Sequence, residues 1–164
     1  MRVLVIDQAT INTSYNVIEV KNGKPQWLIA SKISIRKGNS TQRMIEVRNR
    51  MQDVIDEYKI THLVVEDLNW SRKVNLNVTT VLCKMLGMLE ILAEENNVEI
   101  VIMNILEWKS KAGIKSKTRD AQKAESIRLA LRRFPTYAKI ICRSDDVADA
   151  LNMGIAFLVQ KNIL

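Results

Sequence analysis

One histidine, two cysteines, two prolines and five glycines are all that this chain of 164 residues holds of the types that most often carry chemistry or break up a fold. With His62 alone, no Ser-His-Asp set is credible and no His/Cys cluster exists for zinc. His62 opens an apolar run and reads as a surface or packing residue. Cys83 and Cys142 are far apart and in no CxxC spacing, the pattern of reduced thiols in a cytosolic protein. Five glycines with no second Gly-rich loop deny an actin-like ATP-binding protein its phosphate cradle. No uninterrupted apolar run reaches membrane-spanning length, and Met1-Arg2-Val3-Leu4-Val5-Ile6-Asp7 meets an aspartate too soon for a signal peptide. The expectation is a cytoplasmic protein that engages no membrane. Without repeats or linkers, residues 1–164 are expected to form one domain.

What the chain does hold is charge, unevenly placed. Its 25 lysines and arginines outnumber 18 acids, for a net charge of +7, which points to a polyanionic partner. The carboxylates gather at a few strand and helix ends, a pattern expected of a nuclease.

Arg2-Val3-Leu4-Val5-Ile6, ending at Asp7, has the aliphatic run of a strand buried on both faces. Ser14 to Val20 and Gln26 to Ile33 read as two further strands, with Asn22-Gly23-Lys24-Pro25 as the turn of an antiparallel hairpin. Ser40 or Thr41 can cap a helix running to about Tyr58, with Met44, Val47, Met51, Val54 and Ile55 on its apolar face. His62 to Asp67 is a second buried strand ending in acid. A helix from about Leu76 to Asn96 is apolar nearly all round, as a helix central in its own domain would be, or one that also meets a second copy of the protein. Gly87 inside it costs about 1 kcal/mol relative to alanine and predicts a close backbone approach. Val98 to Met103 makes another strand. From Trp108 to Lys123 the chain turns basic (Lys109, Lys111, Lys115, Lys117, Arg119, Lys123) and is expected to form a mobile loop leading into a helix over about Asp120 to Phe134. A last helix follows Ser144, its expected N-cap, with Val147, Leu151, Ile155 and Leu158 on one stripe. The order β-β-β-α-β-α-β-α-α predicts the α/β class: a mixed five-stranded sheet with helices on its faces.

Asp145 and Asp146 suit the first turn of that last helix, where its dipole favours anions. Asp149 lies one turn further in, beside both, at a cost of a few tenths of a kcal/mol for each like-charge pair. A divalent cation between the carboxylates would make sense of it. Asp7 and Glu66 end the two most buried strands, where parallel sheets gather ligands. If those strands are neighbours, Asp7, Glu66, Asp146 and Asp149 converge. Hard oxygen ligands of this kind suit Mg²⁺, or Mn²⁺ in its place. Two ions roughly 3.5–4 Å apart could clamp the attacking and leaving oxygens of a phosphodiester hydrolysis. Lys109 or a neighbour could offset charge developing on the phosphate.

These residues also carry a resemblance. Val5-Ile6-Asp7, followed by Thr13, Tyr15, Val17 and Ile18, keeps the register of an opening Asp-Pro-Gly…Thr-Gly-Tyr-Gly segment; Val64-Val65-Glu66 matches a second acidic strand; Asp146-Val147-Ala148-Asp149-Ala150-Leu151 matches a closing Asp-x-x-Asp-Ala-Leu. On them the chain resembles the RuvC family of Holliday junction resolvases, members of the RNase H-like nuclease superfamily. The resemblance implies an RNase H-like fold with helices on both faces of the sheet. It also implies a homodimeric crossover junction endonuclease for DNA recombination and repair, and an acidic tetrad of Asp7, Glu66, Asp146 and Asp149. Lys109 and Lys123 are its matches for the family's two active-site lysines.

The chain departs from that pattern at several points. Gln8-Ala9 replaces Pro-Gly, and Ser14 and Asn16 stand where glycines are usual. Asn69 is not the stacking aromatic expected beyond Glu66, although Trp70 adjoins it. Trp70 with Arg72 and Lys73 reads as an aromatic wedge between phosphate contacts, suited to unstacked bases at a branch, and Lys111, Lys115, Lys117 and Arg119 as further DNA contacts. Trp27 and Trp108 read as packing residues. The expected substrate is branched DNA, four-way junctions and three-way forks included. The competing readings are a non-catalytic branched-DNA-binding protein and a monomeric ribonuclease on the same fold.

Overall fold

The computed structural model describes residues 1–9, 11–68 and 75–164. Five strands, β1 (Arg2–Asp7), β2 (Asn12–Lys21), β3 (Lys24–Ser34), β4 (His62–Glu66) and β5 (Glu99–Met103), form one sheet in the order β3-β2-β1-β4-β5. β1 to β3 pair antiparallel, whereas β1, β4 and β5 run parallel. The hairpin turns on Asn22 and Gly23 alone, both at positive φ, so β3 begins at Lys24 and carries Pro25 on a sheet edge, where a missing N–H is tolerated.

Two layers of helix enclose the sheet. α1 (Ser40–Tyr58) and α2 (Leu76–Glu95) cover one face, packing Val47, Met51, Leu89 and Leu92 onto Leu4, Ile6, Leu63 and Val65. α3 (Ile105–Ala112), α4 (Arg119–Arg133), a 3₁₀ turn at Pro135–Tyr137, the short α5 (Ala138–Ile141) and α6 (Asp145–Gln160) lie over the other. α6 is central there. It crosses β1 and β2, and ten of its residues are buried. Gly154 permits that approach, because a Cβ on it would stand 2.8 Å from Ile18 Cδ1 and 3.3 Å from Asn16 Oδ1.

Several expectations need correction. The cap of α1 is Asn39, not Ser40 or Thr41: its side chain accepts from Gln42 N while Gln42 accepts from Asn39 N, a reciprocal capping box. The basic segment from Trp108 is not an open loop. Asn104 caps α3 and Gly113 ends it in the left-handed conformation; beyond it the Glu125 carboxylate accepts from Lys115 N and Ser116 N, and Thr118 caps α4. No close approach surrounds Gly87, since a Cβ there would meet nothing within 4 Å. α2 is also long and apolar enough, by length and composition, to cross a membrane, although Met85, Leu89, Leu92 and Ala93 are built into the core.

Candidate active site

The sheet places the acids. β1 and β4 are parallel neighbours paired up to Ile6 and Val65, so Asp7 and Glu66, one residue on, end their strands side by side at the carboxyl edge of the sheet. α6 begins above that edge and adds Asp146 and Asp149. All four line one cleft of about 770 Å³, together with Lys109, Lys117, Arg119, Gln122 and Lys123 and with Asn75, Val78, Ile105 and Leu106.

Each acid but one has a protein partner. Trp108 Nε1 donates to Glu66 Oε1 at 2.8 Å, from a ring that is only 2% exposed. Ser126 Oγ donates to Asp149 Oδ1 and is itself held by Asn152 Nδ2 at 2.9 Å. Arg133 in turn bonds Asn152 Oδ1 at 2.9 Å and the Ala112 carbonyl at 2.8 Å, tying α6 to the end of α3. Lys32 Nζ bonds Asp146 Oδ2 at 3.1 Å and Ser144 Oγ at 2.9 Å. Ser144 therefore occupies the N-cap position of α6 without making the expected side-chain cap. Asp145 turns aside to Lys123, which leaves Asp146 as the first-turn acid lining the cleft. Asp7 has no side-chain hydrogen bond or ion pair among the described residues.

The electrostatics follow from this arrangement. Burial pushes Asp7 well above the usual carboxylate range, and the charges of Glu66, Asp149, Asp146 and Asp145 add to it. Burial also raises Glu66 and Asp149; the Trp108 N–H and the Lys109 ammonium restrain Glu66, and the Ser126 hydroxyl and Lys109 restrain Asp149. The hydrogen bond between Lys123 and Asp145 lowers the acid and raises the amine. Lys109, whose Nζ bonds Gln122 Oε1 at 3.1 Å, is thus the cation most directly turned on the buried acids.

The other proposed contacts divide. Lys117 and Arg119 line the cleft, whereas Lys111 pairs with Glu107 at 2.6 Å, and neither it nor Lys115 reaches the cleft wall. Trp70, Arg72 and Lys73 lie outside the described residues. His62 sits at the start of β4, the end of that strand away from the acids, with its ring 6.1 Å from that of Phe157.

The donor set suits a hard divalent cation. Four carboxylates share the cleft, and the most deeply set, Asp7, has no countercharge of its own among the described residues. Among the described residues no three Asp, Glu, His or Cys side chains stand close enough, as they are placed, to hold a metal ion together.

A family model described as Lactococcus phage M3 protein (DUF3882) matches residues 1–158. The chain belongs to that family. No curated protein matches it in sequence. Thermus thermophilus RuvC in complex with a Holliday junction substrate is similar to this family member with a TM-score of 0.76 at 17% identity, over 98% of this chain and 96% of that one. The Fowlpox virus resolvase, also in complex with Holliday junction DNA, gives 0.70 at 14% identity, over 98% of each chain. The yeast mitochondrial Holliday junction resolvase gives 0.58 at 18%, over 95% of this chain and 77% of its own. The RuvC-like, RNase H-like fold expected from the sequence is the fold observed.

Sequence reasoning missed the supports rather than the acids. Trp108 is a packing residue, as expected, but its N–H also serves Glu66. A signal existed for Ser126 and Asn152: polar residues inside helices at otherwise apolar positions, both now fully buried. For Lys32, a lysine on an exposed-looking strand, there was none.

Proposed function

We propose that this protein is a metal-dependent endonuclease that cuts branched DNA, resolving four-way junctions by paired nicks. The observation that carries the proposal is the convergence of Asp7, Glu66, Asp146 and Asp149 at one cleft rimmed by Lys109, Lys117, Arg119 and Lys123. A fold shared with resolvases crystallised on Holliday junctions supports it.

Asp7, Glu66, Asp146 and Asp149 would hold Mg²⁺ (or Mn²⁺), two ions per site in our reading. Bound there, the metal would supply water activation and stabilisation of the departing 3′ oxygen. The chain's own residues do the rest. Trp108 and Ser126 fix the orientation of Glu66 and Asp149. Lys109, between those acids and the solvent, offsets charge developing on the phosphate, while Lys117 and Arg119 take flanking phosphates and set the strand's path. Trp70, Arg72 and Lys73, which precede Asn75 on the cleft wall, are proposed to contact the branch. A DNA substrate and two free cysteines fit a cytoplasmic enzyme.

We also propose a homodimer formed through α2. Its outward side exposes Leu76 (82%) and Ile91 (61%), and Gly87 leaves open space where a second backbone could approach. Two such active sites related by a two-fold axis match the near two-fold symmetry of a four-way junction. Ile91→Glu is expected to convert the dimer to monomer in light scattering while leaving the fold intact by circular dichroism; an unchanged mass would remove α2 as the interface.

The deciding experiment is cleavage of end-labelled four-way, three-way and linear duplex DNA with Mg²⁺, with EDTA and with Glu66→Gln. Paired symmetric nicks near the four-way branch, lost in both controls, are expected. Nicks on three-way forks as well would widen the activity to branched DNA in general. Tight binding with no nicks under any metal would overturn the enzyme in favour of a structural DNA-binding protein.

A further inference from the structure

The sheet register sets three polar residues in one row across three strands. Asp7 on β1 pairs with Ser14 on β2, and Ser14 pairs with Lys32 on β3. Directly opposed residues of antiparallel strands project to the same face, with Cβ atoms about 4.5–5.5 Å apart. That face is the one α6 covers, as Asn16, two residues along β2 from Ser14, shows by bonding the Ala150 carbonyl at 2.7 Å. The row therefore runs from the unpartnered acid beneath the start of α6 to the edge of the sheet.

Lys32 closes the row from outside. Its side chain is 22% exposed and does not line the cleft. It donates to Asp146 Oδ2 and, with a second bond, to the hydroxyl of Ser144, the N-cap position of α6. Between its two ends lies Ser14, fully buried, whose Oγ has no hydrogen-bond partner among the described residues. A glycine here would leave the strip empty; the serine keeps it polar.

We propose that Lys32 is a positioning residue of the acid site: anchored on Ser144, its ammonium holds Asp146 by Oδ2 and thereby aims Oδ1 into the cleft for a divalent cation shared with Asp7. The inference rests on the metal-centre reading above. Lys32 touches neither substrate nor cation; it acts only through the carboxylate. Partners of metal ligands that lie one shell out typically change affinity by about 10–100-fold when removed. A lysine that merely competed with the metal for Asp146 would have the opposite effect, because its removal would free the acid.

The test is Mn²⁺ binding to the full chain without DNA, read as free Mn²⁺ by electron paramagnetic resonance. Lys32→Met, which keeps the aliphatic stem, is expected to raise the Mn²⁺ Kd by about 10–100-fold. Lys32→Arg, which keeps a cationic donor, should restore most of the affinity. An unchanged or tighter Kd in Lys32→Met overturns the proposal. If Lys32→Met does not fold, Ser144→Ala decides instead, since it removes the anchor without altering charge: weaker binding supports the positioning role and unchanged binding overturns it. Wild-type protein that binds no Mn²⁺, or binds it equally well as Asp7→Asn, would bring down the metal centre and this inference together. That pattern is distinct from a failure confined to the Lys32 variants.

Discussion

Replacing Asp7 with asparagine is expected to end cleavage and, in metal-free buffer at neutral pH, to make the protein harder to unfold. Asp7 is held among four other carboxylates, with burial the larger cost and no described countercharge. Its folded-state value therefore lies above its unfolded one, so the folded protein binds the proton more tightly. The wild type is then most stable when Asp7 is protonated, and it loses that contribution as pH rises from the ordinary carboxylate range through the raised folded value. Glu66 and Asp149, also raised, act in the same direction. Asparagine removes the charge at nearly constant shape, and the gain should be about 1–3 kcal/mol, the usual scale for relieving an unsatisfied buried polar group. Urea unfolding in EDTA, followed from pH 5 to 8, measures it: the variant's stability should vary less with pH than that of the wild type. Mg²⁺ should reverse the ranking, because ligand binding stabilises only the protein that binds it. A variant less stable than the wild type in EDTA would mean that Asp7 is structurally satisfied and not held for a cation.

The second large effect is expected at Trp108. Trp108→Ala should cost about 3–5 kcal/mol, the scale for removing a buried aromatic, because the ring packs beneath the sheet with Met103, Ala112 and Phe157. Trp108→Phe separates the ring's two roles. It retains most of the packing but deletes the donor to Glu66, a charge-assisted bond worth roughly 1.5–3 kcal/mol. That N–H restrains the upward shift of Glu66, so the variant's cleavage should need a higher pH than the wild type's. An unmoved pH profile in a folded Trp108→Phe protein would reduce Trp108 to packing alone.

The acids were legible in the sequence because each ends a strongly patterned element. Asp7 and Glu66 close aliphatic runs that can only be buried strands, and Asp146 and Asp149 open an amphipathic helix. Their supports were not legible, for a physical reason. Which face a strand residue takes depends on register, and a single irregularity inverts the parity beyond it. β3 has one opposite Val17 and Ile18, where Ile29 and Trp27 pair and Leu28 is passed over. Trp27, Ala30 and Lys32 consequently share the α6 side, which simple alternation could not foretell. The basic segment was misread for a different reason. α3 is only eight residues long, and its stability comes from the Asn104 cap and the burial of Trp108 and Ala112 rather than from a long apolar period.

The burial of α6 has a consequence for motion. A helix with ten buried residues can release its amides to solvent only when much of the domain opens, so its hydrogen exchange should be among the slowest in the molecule. Val78, in the first turn of α2, also lines the cleft but is 41% exposed, so it is held by fewer buried contacts than the residues of α6. The part of the cleft lining that carries Asp146 and Asp149 is thus the part least free to move. On the proposed reading, the spacing of those two acids would be kept while a substrate is fitted elsewhere along the cleft.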